Sequence, residues 1–140
     1  MSQATETPEF DAARGRGPVE IRLPADADLV SAIRLLASSM AATARSTIDE
    51  IDDLKLAVSE VLLALIERGS SPTLAVTLEL RDHTFEITGR AATRDFDPQH
   101  PDVQLSRVVL AEVCAHHSID IIGDELRIAA TVTLNRRHHE

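Results

Sequence analysis

Val19, Ile21 and Leu23 alternate with polar residues and Pro24 closes the run. The alternation predicts a first strand, because every second side chain of a strand faces the same side. Asp28 can cap a helix whose apolar positions Leu29, Ile33, Leu36 and Met40 recur every three or four residues, the spacing of one helical face. A second helix is announced by Thr47 as N-cap and Glu50 three residues on, a capping box, with Asp49, Asp52 and Asp53 near the positive end of its dipole. Ile48, Ile51, Leu54, Val58, Leu62 and Leu65 form its stripe, and Gly69 stops it before Ser70, Ser71 and Pro72.

Leu74, Val76, Leu78 and Leu80, then Phe85 and Ile87, alternate on either side of a turn at Arg81 to Thr84, the pattern of a β-hairpin. After Asp97, Pro98 and Pro101, the run from Val103 to His116 has helical spacing through Leu105, Val109, Leu110 and Val113. Ile119 to Ile122 and Leu126 to Leu134 read as two strands around a tight turn at Gly123-Asp124. The order β-α-α-β-β-α-β-β predicts an α+β two-layer sandwich, with helices gathered on one face of a mainly antiparallel sheet. Residues 1–18, rich in Glu, Ala and Gly and without apolar periodicity, read as a flexible tail, leaving residues 19–140 as one domain.

Composition narrows the functions this domain can have. The 140-residue chain is 44% hydrophobic and 26% charged, an ordinary globular balance, and with three Phe and no Trp or Tyr its core must be aliphatic. A formal net charge of −9 opposes binding to nucleic acid or to anionic membranes. The single cysteine, Cys114, allows no internal disulfide, and no Cys and His cluster has structural-zinc spacing, so no metal is expected. With no stretch approaching the ~18 apolar residues of a span and no secretory-type leader, the expected location is the cytoplasm.

The segment IDDLKLAVSE, Ile51 to Glu60, resembles the signature helix of the anti-sigma-factor serine/threonine kinases, whose members carry a GHKL or histidine-kinase-like (Bergerat) ATPase domain. The resemblance extends over roughly Val19 to Arg137, including the closing AATVTLNRR. In that family the helix carries a general-base Glu and, four residues on, an Mg²⁺-binding Asn. Glu60 matches the first, but the second is Ala64, which offers no oxygen to a hard cation. The family's D-x-G-x-G adenine motif corresponds to Gly89, Ala91 and Thr93. Its glycine-rich phosphate loop has no counterpart between Gly89 and Gly123, and the glycine of its closing G-T pair is Ala129. Leu63 and Ala64 are expected to close over the former phosphate pocket.

The resemblance thus implies a scaffold without its ATP chemistry: no catalytic residue beyond a vestigial Glu60, and no cofactor. Mg-ATP would enter only if the chain is an active kinase that phosphorylates a STAS-type antagonist. The implied partners are a sigma factor and a STAS-domain anti-anti-sigma factor, together with a homodimer or a heterodimer with a paralogous kinase. Arg34, 26 residues before Glu60, matches an arginine with which family members contact these partners. His116-His117 is expected at a helix end, where adjacent residues point about 100° apart and cannot chelate one ion together. His138 and His139 read as solvated, and Cys114 as core.

Overall fold

The computed structural model describes residues 17–134, so most of the expected tail, together with His138 and His139, lies outside the described residues. Its elements are β1 (Val19–Pro24), α1 (Val30–Ala42), α2 (Ile48–Arg68), β2 (Thr73–Leu80), β3 (Thr84–Ala92), α3 (Pro101–Val113), β4 (His116–Ile122) and β5 (Glu125–Thr133), in the order expected from the hydrophobic pattern. The five strands form one antiparallel sheet in the order β1-β2-β3-β5-β4. α2 packs on β3 and β5, with α1 and α3 against it, and α3 also meets β4.

β2, β3 and β5 bury alternate residues, while the outer strands β1 and β4 each bury one, Leu23 and Ile119. Ile21, Val76, Gly89, Ile128 and Ile119 stand in one register row beneath the helices, where cross-strand partners share a face. Leu54, Ala57, Val58, Val61, Leu62 and Leu65 of α2 complete an aliphatic core in which Phe85 is the one fully buried aromatic among the described residues. Five-strand sheet and helical layer make a two-layer α+β sandwich.

Local signals held where a backbone hydrogen bond depends on them. Thr47 Oγ1 accepts from the Glu50 amide at 3.1 Å and Glu50 Oε1 accepts from the Thr47 amide at 2.9 Å, a complete capping box. Gly69 is the C-cap of α2. The first cap differs: Asp26, not Asp28, accepts from a backbone amide, at the start of a short 3-10 turn (Ala27–Leu29) that leads into α1.

The helix phases shift as well. α1 buries Val30, Ile33, Ala37 and Ala41, leaving Leu36 and Met40 half-buried, because small residues let it approach α2 closely. Ile48, at the first turn of α2, is 79% exposed. α3 buries Val103, Ser106 and Leu110, an equally helical spacing, and turns Leu105 outward at 60% exposure. α3 also ends at Val113, so His116 and His117 open β4. There they point to opposite sides of the sheet, and still cannot bind one ion together. Beside them, an Arg107 Nη2 donates to the carbonyl of Ile119 at 3.1 Å.

Candidate functional site

The α2 surface that carries Glu60 and Ala64 meets α3, and the two helices run antiparallel, with Arg68 reaching Asp102 at one end and Asp53 lying near Cys114 at the other. Between them Glu60 Oε2 accepts a hydrogen bond of 2.7 Å from Ser106 Oγ, a hydroxyl on a residue only 6% exposed. One turn beyond, Ala64 is 7% exposed and faces Phe96, Val103, Ser106, Leu126 and Ile128. These groups enclose about 10 Å³ of free volume, the scale of one water molecule. The position of the expected base is therefore a tie between two helices. Ala64 and Ser106 both line this cleft, whereas Leu63 is half-buried and does not.

Gly89 lies in the central strand directly beneath α2. A Cβ added there would collide with Leu65 Cδ1 and come within 3.1 Å of Val61 Cγ1. The Leu65 side chain occupies the gap that the glycine leaves, so a side chain at this position, including the aspartate of an adenine-binding motif, has to displace Leu65. Ala91 is buried two residues on. Thr93, 6% exposed, spends its hydroxyl on the Arg68 carbonyl at 2.8 Å, while its amide donates to the Asp124 carbonyl at 2.9 Å. Thr93 thereby anchors the end of α2 to the exit of β3.

Two singled-out residues are not brought to this cleft. Ala129 falls on the outward phase of β5, on the sheet face opposite the helices. Arg34 is half-buried on α1, lines neither this cleft nor the next, and makes no side-chain ion pair among the described residues. A more open cleft of about 270 Å³ adjoins the first, lined by Glu67, Arg68, Ser70, Arg94, Phe96 and His100 among others. Among the described residues no group of three or more His, Cys, Asp or Glu is placed to hold a metal ion, and no helix is long and apolar enough to cross a membrane.

Cys114, the C-cap of α3, packs against the core half-buried, as its place in the apolar pattern suggested. Burial first, and the nearby Asp53 carboxylate second, push its thiol up from 9.0 to about 11. The thiol stays protonated in the folded protein between those values while the unfolded chain ionises, so this contribution to stability is present below pH ~9 and is lost as pH rises through about 11. Labelling with a disulfide reagent at pH 8 is expected to be at least tenfold slower in the native protein than in the denatured chain, about two pKa units lower in thiolate.

The chain is a two-layer α+β sandwich whose second helix carries the segment Ile51 to Glu60, the stretch that resembles the signature helix of the anti-sigma regulatory kinases. No protein-family model matches the chain. It is similar to curated proteins named serine-protein kinase RsbW: that of Bacillus subtilis is 30% identical over 91 residues, 61% of this chain and 57% of the relative. The Staphylococcus aureus protein is 48% identical over 51 residues, 36% of this chain and 32% of the relative. The chain thus covers little more than half the length of the first of these relatives and a third of the second.

Proposed function

We propose that the chain is a non-catalytic anti-sigma-factor-like regulator that acts by protein–protein binding in a partner switch controlling transcription, in the cytoplasm, with a sigma factor and a STAS-domain anti-anti-sigma factor as the partner classes. The carrying observation is the bond from Ser106 to Glu60 above a cleft of about 10 Å³. A general base needs access to a proton on a bound substrate, and here one oxygen of its carboxylate already accepts a hydrogen bond from the chain itself. Two further positions agree with this reading. Ala64 brings no metal-binding oxygen, and Gly89 has given its space to Leu65. Arg34 is the residue best placed by resemblance for partner contact, and pairing with itself or with a paralogous kinase belongs to the same reading.

Titration calorimetry with Mg-ATP is the direct test. The expected result is no binding up to millimolar nucleotide, and micromolar affinity would overturn the proposal. A second reading, an ATP-dependent serine/threonine kinase acting on a STAS-type antagonist, is favoured by the names of the relatives and by the 270 Å³ cleft beside Arg68 and Arg94. It requires phosphate transfer to the antagonist that Glu60→Gln abolishes.

A further inference from the structure

β1 pairs with β2 along one of its backbone edges and leaves the other open. The amide of Ala25, just past its end, donates to the Pro72 carbonyl at 2.8 Å, on the β2 side. Backbone direction alternates residue by residue along an antiparallel ladder. Val19, Ile21 and Leu23 therefore turn their N–H and C=O groups toward β2, while Glu20 and Arg22 turn theirs to the open edge. Pro18 and Pro24 share that outward phase and have no N–H to offer. Between the two prolines the donors of the edge are thus confined to Glu20 and Arg22.

This short window is complementary to itself. A second copy related by a twofold axis at Ile21 sets Glu20 of one chain opposite Arg22 of the other, and Arg22 opposite Glu20. At both places each N–H meets the opposed C=O, which closes a hydrogen-bonded pair. On the outer sheet face the opposed side chains stand with their Cβ atoms about 5 Å apart, carboxylate facing guanidinium. On the helix face Ile21 meets Ile21, and Val19 meets Leu23. Ile21 is the end of the row that runs through Val76, Gly89 and Ile128, and it packs on the core only half-buried. Moving the axis one residue either way keeps the backbone groups in phase but opposes Glu20 to Glu20 or Arg22 to Arg22. Charge therefore selects the register centred on Ile21.

The chain itself leaves both charges open. Neither Glu20 nor Arg22, each exposed, makes a side-chain ion pair or hydrogen bond among the described residues. Across β2 they oppose Thr77 and Ala75, which carry no charge. Glu79, two residues along from Thr77, is bound to Arg81 at 3.1 Å, and Arg90 lies one strand beyond Ala75. Each of these neighbours has the sign of the β1 residue it adjoins, so the opposite charge brought by a second copy is favoured at both places.

We propose that the open edge of β1 pairs antiparallel with β1 of a second copy about Ile21, joining two five-stranded sheets into one, with Glu20 and Arg22 setting the register. This deepens the self-pairing included in the proposed function by assigning its surface and geometry.

The test is self-association of the full-length protein, followed by sedimentation equilibrium. Expected is a dimer that Glu20→Arg and Arg22→Glu, taken singly, each weaken at least about tenfold, since either change sets like charges opposite each other twice. An equimolar mixture of the two variants should regain the parent's affinity, because each supplies the sign that the other lacks. The double variant E20R/R22E should regain it within one chain. Amide hydrogen exchange checks the same contact without substitution: the Glu20 and Arg22 amides gain protection as protein concentration rises, whereas the Ile21 amide is protected throughout. The proposal is overturned by a parent that stays monomeric at millimolar concentration, or by single variants that dimerise as the parent does. It is equally overturned by a mixture no tighter than its components, or by Glu20 and Arg22 amides that exchange freely in the dimer. A monomeric parent leaves the non-catalytic reading standing, because that rests on Glu60, Ala64 and Gly89, and micromolar Mg-ATP affinity would defeat that reading without touching the β1 pairing.

Discussion

Gly89→Ala is expected to lower the free energy of unfolding by about 1–3 kcal/mol, the usual cost of forcing an extra methyl into a packed core. The new Cβ lands on Leu65 Cδ1, a side chain already 1% exposed and held between α2 and the sheet. Leu65→Ala alone should lose about 2–5 kcal/mol through the cavity it leaves. The double variant should lose less than the two together, because shortening Leu65 opens room for the methyl at position 89. Chemical denaturation of the four proteins gives the coupling directly. Strict additivity would mean that α2 does not rest in the gap above Gly89.

The second large effect concerns the tie between α2 and α3. Ser106→Asp sets two carboxylates within hydrogen-bonding range in a nearly closed cleft, and a loss of about 2–4 kcal/mol follows from burying an unmatched charge. Ser106→Ala, which only removes the donor, should cost about 1–2 kcal/mol. Adding Glu60→Gln to the S106D protein should recover roughly half of the loss, since an amide can donate where the carboxylate could not. Equal stability of S106D and the parent would show that Glu60 turns away from α3 without penalty.

Much of this architecture could be read from local pattern. The capping box at Thr47 and Glu50 lies within four residues, so sequence proximity and structure coincide, and the strand alternations survived because each buried face has a period of two. Phase around a helix was harder. In α3 the sets through Leu105 and through Val103 are both helical, and the choice was settled by contacts with Glu60 and Arg68, some 34 to 46 residues away in the chain. Ser106 was missed for that reason, although a hydroxyl three residues after Val103 and four before Leu110, in an otherwise apolar stripe, was a signal available in the sequence. Gly89 was recognised only as a motif position, whereas its packing role appears once α2 is set over β3.

The contact from Arg107 to the Ile119 carbonyl has a consequence for assembly. β4 is an outer strand of the sheet, and such a strand offers free backbone groups on which another chain can extend the ladder. Arg107 occupies one of those acceptors near the middle of β4, so a foreign strand would have to displace a charged side chain to zip past it. Growth of the sheet in that direction, whether as a fibril or as a strand-exchanged pair, is thereby discouraged.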